Sequence, residues 1–312
     1  MQKNLNVAFL IPCFNEETTI SELVKNCKET FAEATVYVFD NNSTDKTTTL
    51  AEQAGATIRR ESRQGKGNVV RRMFADIEAD IYILCDGDMT YDIASAPTMV
   101  RELIEGNQDM VVATRVSDLT SGQPYPIGHA FGNKVLTNIV GSLFGNYFSD
   151  ILSGYRVFSR RFVKSFPALS RGFEIETELT IHALELRLPV SEIKTPYYAR
   201  PVDSESKLST FKDGGRILMV ILFLLKEVRP LLFFGTIFSV LTILSMIISF
   251  PIFKTYLETG LVPRFPTAIL ASGTIILAFL SLSCGAILDS VSRGRRETKR
   301  MHYLNIKPLR KD

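Results

Sequence analysis

Two long uncharged segments constrain the fold of this chain more than any other feature of its sequence. Leu231–Phe253 and Phe265–Leu288 contain no charged residue. A helix of about 20 apolar residues crosses the hydrocarbon core of a bilayer, whereas a soluble helix that is apolar on every face needs a much larger protein around it. Only Lys254–Arg264 joins the two segments. The sequence therefore predicts two membrane-spanning helices in a hairpin, with both ends on the same side of the membrane.

The distribution of basic residues predicts the orientation of this hairpin. Lys226 and Arg229 precede the first segment. A denser basic group follows the second segment, namely Arg293, Arg295, Arg296, Lys299 and Arg300. Because lysine and arginine concentrate in cytoplasmic loops, we expect a multi-pass protein of the cytoplasmic (inner) membrane with both termini in the cytoplasm. The first apolar run, Val7–Ile11, is too short for a signal peptide, so none is expected.

The region up to Arg115 alternates short apolar strands with helices. The predicted strands are Val7–Ile11, Thr35–Phe39, Ile81–Cys85 and Met110–Thr114. Residues at helical spacing predict helices over Thr18–Phe31, from about Thr44 to Gly55, over Asn68–Ala79, and in a segment that ends near Gly106. This alternation predicts an α/β fold with a mostly parallel sheet and helices on both faces.

Polar clusters directly follow three of these strands, at 12–16, 40–45 and 86–88, and Arg115 follows a fourth. Ligands of such sheets bind outside the carboxyl ends of the strands, so we expect these clusters to form one site. The site is not of the usual dinucleotide type, because no GxGxxG follows the first strand. Gly65-Lys66-Gly67 lacks the spacing of a P-loop, and its alternative interpretation is an ordinary turn.

Asp86-Gly87-Asp88 carries the most specific chemistry of these clusters. Two carboxylates one residue apart are costly at the end of a buried strand unless they are paired. They can share a divalent cation, since Mg²⁺ takes one or two carboxylates together with the oxygens of a substrate phosphate. Such an ion would neutralise the negative charge that develops on a departing diphosphate. The sequence therefore predicts a nucleotide-diphosphate site with Mg²⁺ or Mn²⁺; the alternative is a solvated Asp-Gly turn.

The order of the motifs resembles that of the glycosyltransferases of family 2. These motifs are IPCFNEE at 11–17, VFDNNSTDKT at 38–47, RQGKGN at 63–68, DGD at 86–88 and ATR at 113–115. The resemblance implies the GT-A (Rossmann-like) fold and a nucleotide-diphospho-sugar donor. It extends through 150–156 and 172–178 to the segment from Arg200 to Lys207, which is similar to the R-x-x-G-x-S-K motif of polyprenyl-phosphate sugar synthases. With its two apolar segments, the chain resembles the membrane-anchored branch of the dolichyl-phosphate mannose synthase-like enzymes.

The resemblance and the chemistry together assign the site residues. The predicted donor-binding residues are Pro12, Asn15, Glu16, Asp40, Lys66, Gly67, Asp86, Gly87, Asp88 and Arg115. The predicted acceptor-phosphate residues are Arg115, Arg156, Glu176, Arg200, Ser206 and Lys207. The predicted catalytic residues are Asp86, Asp88, Asp150 and Glu178, and the predicted metal ligands are Asp86 and Asp88.

Several of these assignments have a plain structural alternative. Arg115, Arg200 and Lys207 suit a lipid phosphate, which is largely anionic at neutral pH because its second pKa is about 6. The alternative for each of them is a solvated surface charge. Asp150 and Arg156 could form an internal ion pair. Glu174, Glu176 and Glu178 begin a predicted helix, where acidic residues complement the helix dipole.

Two departures from the family pattern stand out. Asp40-Asn41-Asn42-Ser43 replaces the common Asp-Asp-Gly-Ser. Asp40 remains to accept the uracil N–H, whereas neither asparagine is assigned a role. Near the acceptor motif, Asp203 stands close to an expected glycine and the spacing is one residue longer.

The sequence predicts four parts. Residues 1–210 form a cytoplasmic GT-A domain, 211–229 a juxtamembrane amphipathic helix, 230–290 the transmembrane hairpin and 291–312 a basic cytoplasmic tail. The juxtamembrane assignment depends on Ile217–Leu225, which is apolar, bounded by basic residues and too short to span a bilayer, as in a helix lying in the membrane interface.

The predicted function is an inverting transfer of glucose from UDP-glucose to undecaprenyl phosphate or another polyprenyl phosphate, for cell-envelope glycosylation. UDP-N-acetylglucosamine or another NDP-sugar is the alternative donor. A non-catalytic membrane scaffold that binds nucleotide sugar is the alternative from a different class. A processive synthase is disfavoured because its Q-x-x-R-W motif needs a tryptophan, and the chain has none. The resemblance implies a homotetramer, and no nucleic-acid partner is expected.

Overall fold

A computed structural model describes residues 5–117, 137–138, 140–142, 148–168, 172, 174–198, 222–223 and 225–309. The chain divides into two compact units. We call Met1–Gly215 with Lys299–Asp312 the N-terminal unit, and Arg216–Thr298 the hairpin unit.

The N-terminal unit alternates strands and helices as the sequence predicts. Its elements are β1 (Val7–Cys13), α1 (Ile20–Thr30), β2 (Thr35–Asp40), α2 (Thr47–Gln53), β3 (Thr57–Arg60), α3 (Lys66–Asp76), β4 (Ile81–Leu84), a short 3₁₀ turn (Ile93–Ser95), α4 (Ala96–Glu105), β5 (Met110–Ser117), β6 (Arg156–Ser159), α5 (Arg160–Ser165), α6 (Ile175–Leu186) and β7 (Val190–Tyr197). β3, β6 and β7 are strands that the sequence pattern did not single out.

The seven strands form one sheet in the order β3-β2-β1-β4-β6-β5-β7. β1 pairs in parallel with β2 and β4, β2 with β3, and β5 with β7; β6 runs antiparallel between β4 and β5. The predicted mostly parallel sheet is therefore confirmed. In the register, Cys13 lies opposite Asp40, and Leu10 lies opposite Leu84. The loops after β1, β2 and β4 consequently leave the same edge of the sheet from adjacent strands.

Helices cover both faces of this sheet, which is why β4 is buried throughout and β1 is buried at every residue except the partly buried Pro12. On one face, Phe9 and Ile83 join a core cluster with residues of α1 and α4 such as Leu23 and Met99. On the other face, the Tyr82 ring packs edge-on against Phe74 of α3. Burying a large apolar side chain contributes about 1.5–3 kcal/mol, so these layers fix the positions of the strand ends that carry the polar loops.

Two helices are long and apolar enough to cross a membrane, α7 (Pro230–Thr259) and α8 (Phe265–Leu304). The hairpin unit contains α7 and the part of α8 up to Thr298. Both extend beyond the uncharged segments. α7 ends where Gly260 adopts a left-handed φ of 68°, a common helix stop. Short side chains let the two backbones approach: a Cβ on Gly285 would lie 2.9 Å from the Cβ of Phe234, and the Ser281 hydroxyl donates to the Phe234 carbonyl at 3.1 Å.

The chain after 298 returns to the N-terminal unit, and we call residues 299–309 the C-terminal clasp. The Tyr303 hydroxyl donates to Asp109 at 2.6 Å, and Lys299 Nζ lies 2.9 Å from Glu185. Arg161 donates to the Ile306 carbonyl at 2.9 Å and stacks over the Tyr303 ring. The predicted basic tail is helical up to Leu304. Its residues from Lys299 onward belong to the N-terminal unit and make these contacts within it. The predicted juxtamembrane helix at 211–229 lies mostly outside the described residues.

Candidate active site

The three loops that leave β1, β2 and β4 each contain a non-glycine residue with left-handed backbone. These residues are Asn15 (φ 54°), Asn42 (φ 69°) and Met89 (φ 55°). Such conformations cost free energy, and in proteins they cluster at binding and catalytic sites. Their coincidence on adjacent loops at one edge of the sheet marks this edge as the candidate site.

The loop after β4 carries the two carboxylates predicted as metal ligands. Asp88 is 4% exposed, and its Oδ1 accepts hydrogen bonds from the Thr90 N–H at 3.2 Å and the Thr90 hydroxyl at 2.7 Å. The side chain of Asp86 is more open, at 28% exposed. Gly87 between them packs tightly, because a Cβ there would lie 2.9 Å from Cys13 Sγ. The two carboxylates therefore sit on a loop with little freedom to move.

Lys66, the first residue of α3, joins two of the predicted site carboxylates. Its Nζ lies 2.5 Å from Asp86 Oδ1 and 2.5 Å from Glu176 Oε1. The side chains of Lys66 and Glu176 are 9% and 6% exposed. Burial alone would lower the pKa of Lys66, but the two carboxylates outweigh it and raise that pKa above its ordinary value. The structure thus places a permanent positive charge between the Asp86 loop and the first turn of α6.

Gly154, just before β6, lies directly beside Asp86 and Lys66, and the absence of a side chain there leaves space for both charged groups. A Cβ on Gly154 would lie 2.5 Å from Asp86 Oδ2 and 3.0 Å from Lys66 Nζ. Its N–H donates to the Tyr91 hydroxyl at 2.8 Å, and the Tyr91 ring packs against Tyr155 and Tyr197. Tyr91 belongs to none of the sequence motifs, and only the fold brings it to Gly154.

Arg115 and Asp150 form a second charged pair on the same side of the sheet. Arg115 Nε and Nη2 donate to the two Asp150 oxygens at 2.7 and 2.8 Å, a bidentate geometry. The guanidinium also lies 5.5 Å from the centroid of the Tyr197 ring. Glu192 accepts hydrogen bonds from the N–H groups of Ser149 and Asp150, which fixes the loop that presents Asp150. Arg115 and Asp150, which the sequence motifs assigned to different roles, therefore form one ion pair.

Asp150 is bound in bidentate geometry by Arg115, whereas Arg156 lies in the interior of the N-terminal unit. It is 0% exposed, and its guanidinium donates to the carbonyls of Ile151 and Ser153 and to the Thr180 hydroxyl at 2.7–2.9 Å. Burial lowers the pKa of Arg156 to about 10. In this position the side chain supports the loop that leads to Gly154.

The loop after β1 holds the loop after β2. The Asn15 N–H donates to the Ser43 hydroxyl at 3.0 Å, and Asn15 Oδ1 accepts from the Thr44 N–H at 2.9 Å. The Glu16 N–H donates to the Thr47 hydroxyl at 2.8 Å. Pro12 precedes this loop within β1, opposite Phe39. These predicted donor residues thus lie together, with contacts that shape the edge of the site.

The remaining predicted residues are placed as follows. Asp40 is buried, and its Oδ1 accepts from the Ser43 N–H at 3.0 Å. Gly67 is buried in the first turn of α3, and Glu178 is half-buried in the first turn of α6. Arg200, Ser206 and Lys207 lie outside the described residues.

The donor set at this edge fits a hard divalent cation. Asp86 and Asp88 offer only oxygen ligands, as Mg²⁺ and Mn²⁺ prefer. Across the described ranges, no group of three or more His, Cys, Asp or Glu side chains is placed to hold a metal. Such a cation would therefore take one or two carboxylates from the protein and further oxygens from a bound phosphate, which is the mode typical of Mg²⁺.

Comparison with known proteins places this geometry in a family. The sequence profile of glycosyl transferase family 2 matches residues 8–166. Glycosyltransferase AglJ of Haloferax volcanii is 35% identical over 232 residues, which cover 74% of this chain and 76% of AglJ. The low-salt glycan biosynthesis hexosyltransferase Agl6 of the same organism is 28% identical over 214 residues, covering 67% of this chain and 51% of Agl6.

Solved structures show the same fold at low sequence identity. Glucosyl-3-phosphoglycerate synthase of Mycobacterium tuberculosis, solved with Mn²⁺, UDP and glucosyl-3-phosphoglycerate, superposes with a TM-score of 0.57 and 21% identity, over 72% of this chain and 80% of that one. The chain belongs to glycosyl transferase family 2, with a GT-A-like catalytic domain and two C-terminal helices of membrane-spanning length.

Proposed function

We propose that the protein transfers a hexose from a UDP-sugar to a polyprenyl phosphate, with inversion at the anomeric carbon. UDP-glucose and undecaprenyl phosphate are the favoured substrates. The observation that carries the proposal is the contact of Lys66 with both Asp86 and Glu176, which brings the donor loop and the predicted acceptor helix to one point. Two helices of membrane-spanning length in the same chain favour a lipid substrate.

The donor would bind across the carboxyl edge of the sheet. Asp40 accepts the uracil N–H, and the loops after β1 and β2 form the edge around the base. Asp86 and Asp88 would hold the divalent cation, Mg²⁺ or Mn²⁺, which supplies charge neutralisation for the departing diphosphate. The Mn²⁺ and UDP in the mycobacterial synthase support this assignment. Lys66 adds a fixed positive charge beside Asp86.

The acceptor phosphate needs positioning more than deprotonation. One of its oxygens attacks C1 of the sugar, the bond from C1 to the β-phosphate oxygen breaks, and UDP leaves with the bonding electron pair. The phosphate is already largely anionic at neutral pH, since its second pKa is about 6. Arg115, which Asp150 orients, is suited to align the acceptor phosphate. Arg200, Ser206 and Lys207 are proposed to complete the acceptor site, with Glu176 and Glu178 at its α6 side.

The membrane setting is part of the proposal. The two apolar helices would anchor the protein in the cytoplasmic membrane with both termini in the cytoplasm, and the polyprenyl chain would stay in the bilayer while its phosphate reaches the site. The hexosyltransferase Agl6 supports a hexose as the transferred group. UDP-N-acetylglucosamine is the alternative donor, and a homotetramer is the proposed assembly.

Transfer of radiolabelled sugar to undecaprenyl phosphate tests this function. Purified protein in detergent is incubated with a panel of UDP- and GDP-sugars and Mg²⁺ or Mn²⁺, beside an Asp88→Asn variant and a chelator control. We expect a chloroform-soluble product from one UDP-hexose, absent with chelator and reduced at least 100-fold in the variant. UDP binding without product from any donor would contradict the proposal and favour a nucleotide-sugar-binding scaffold.

A further inference from the structure

Asn41 is a buried asparagine whose whole amide group is engaged by one neighbouring segment. It is 4% exposed and follows β2 directly. Its Nδ2 donates to the carbonyls of Glu61 and Arg63, both at 2.8 Å, and its Oδ1 accepts from the Gly65 N–H at 2.7 Å. All three bonds are short and reach across 20 to 24 residues of sequence to the segment 61–65.

The chemistry of these bonds requires an amide at this position. An asparagine offers two N–H donors and a carbonyl acceptor, whereas an ionised aspartate offers acceptors only. An aspartate at 41 would keep the shape but turn a negative oxygen toward two backbone carbonyls. The amide of Asn41 therefore complements the backbone groups that residues 61–65 present to it.

The segment that Asn41 holds leads directly into Lys66. Gly65 adopts φ 124°, a conformation that favours glycine, and its carbonyl accepts the first hydrogen bonds of α3 from Asn68 and Val69. The Gly65 N–H that binds Asn41 is therefore one peptide unit from Lys66, whose Nζ reaches Asp86 and Glu176. A shift of Gly65 would move the start of α3 and with it the ammonium.

Asn42 reinforces the same connection from the next position. Its Nδ2 donates to the Ser62 carbonyl at 2.8 Å and to Gln64 Oε1 at 3.2 Å. Two consecutive side chains at the end of β2 thus hold the segment before α3, although they lie on a different loop from Asp86.

We infer that Asn41 is a positioning residue for the donor: it fixes Gly65 so that the ammonium of Lys66 stands between Asp86 and Glu176, where it meets the donor diphosphate. This inference rests on the proposed function of the site. Asn41 itself touches no reacting group; it acts through Lys66.

The test is a double-mutant cycle on donor binding. UDP affinity is measured by calorimetry with Mn²⁺ present, together with the Michaelis constants for UDP-sugar and lipid phosphate, in Asn41→Asp, Lys66→Met and the double variant. Asn6→Asp is the control for the same amide-to-carboxylate change: Asn6 precedes β1, away from the site, and its Nδ2 donates to the Glu78 carbonyl at 3.3 Å. Circular dichroism checks that each variant is folded, and Asn41→Ser serves as a milder second substitution.

We expect Asn41→Asp to weaken UDP binding and raise the donor KM at least ten-fold, with the acceptor KM unchanged within two-fold and the Asn6→Asp control unchanged. If Asn41 acts through Lys66, the double variant binds UDP no more weakly than Lys66→Met alone. Additive losses, equal losses for both substrates, or Asn41→Asp and Asn41→Ser proteins that bind UDP like the unmodified protein would overturn the inference. If the unmodified protein binds UDP but transfers no sugar, the proposed function is contradicted. The double-mutant cycle on UDP binding still tests whether Asn41 acts through Lys66.

Discussion

Lys66 Nζ lies 2.5 Å from Asp86 Oδ1, so the first carboxylate of Asp86-Gly87-Asp88 already contacts a cation that the protein itself provides. The same carboxylate is a proposed metal ligand. The Lys66 ammonium and the proposed metal ion would therefore both contact the Asp86 carboxylate. The metal would bind next to an existing positive charge.

Replacing Lys66 with methionine separates these two effects. Because a nearby positive charge opposes cation binding, Lys66→Met should bind Mn²⁺ alone several-fold more tightly. It should bind UDP with Mn²⁺ at least ten-fold more weakly, since the diphosphate loses a positive partner. Electron paramagnetic resonance gives the first affinity and calorimetry the second. A variant in which both affinities fall together would show that Lys66 only supports the local structure.

Gly154 should be intolerant of even a methyl group. In Gly154→Ala the new Cβ would meet Asp86 Oδ2 at 2.5 Å and Lys66 Nζ at 3.0 Å, so both charged groups must move. We expect sugar transfer to fall at least ten-fold while the protein remains folded. Gly273→Ala is the matched control, because a Cβ there meets nothing within 4 Å. Equal activity of the two variants would mean that the Asp86–Lys66 geometry is not needed for transfer.

His182 should make stability depend on pH. Burial, with a smaller effect of Lys299, lowers the pKa of His182 to about 3, against an ordinary value near 6.5. Between these values the unfolded chain binds a proton that the folded protein does not, so stability is full above pH 6.5 and falls as pH drops. The slope is at most about 1.4 kcal/mol per pH unit.

Urea unfolding of His182→Gln in detergent measures this contribution. The difference in free energy of unfolding between the unmodified protein and the variant should shrink by about 2 kcal/mol from pH 7 to pH 5. Parallel pH profiles for the unmodified protein and His182→Gln would contradict a buried neutral histidine.

The C-terminal clasp should stabilise the N-terminal unit through Tyr303. Its hydroxyl donates to the buried Asp109 carboxylate at 2.6 Å. Tyr303→Phe removes this donor, which typically costs about 1–3 kcal/mol, so the melting temperature should fall by several degrees. Sugar transfer per folded molecule should not change. Tyr256→Phe, at an exposed position of α7, is the control. An unchanged melting temperature would mean that the contact contributes nothing to stability.

Local sequence patterns were sufficient for the framework of the fold. β1, β2, β4 and β5 are apolar runs, and α1 has its buried residues at helical spacing, so each is evident within a short window. β3 (Thr57–Arg60) was missed because its side chains are largely exposed and polar at the sheet edge. The sequence pattern did not predict that β6 lies antiparallel between β4 and β5, because tertiary packing decides which strands it pairs with.

The site residues likewise divide into those that a short stretch of sequence indicates and those that only the fold brings together. Asp86 and Asp88 were evident from one strand and its loop. The contact of Lys66 with Glu176 joins residues 110 positions apart, and nothing in the spacing of either motif indicates it. Asn41 was given no role because it departs from the family pattern. Its three partners lie in a segment whose course only the folded structure defines.

A matched pair of acceptors shows whether the acceptor is a lipid phosphate. Sugar transfer from the preferred UDP-hexose is measured to undecaprenyl phosphate and to undecaprenol, which differ only in the phosphate. We predict a Mn²⁺- or Mg²⁺-dependent product with undecaprenyl phosphate and none with undecaprenol. Equal transfer to both lipids, or transfer to undecaprenol alone, would contradict the account.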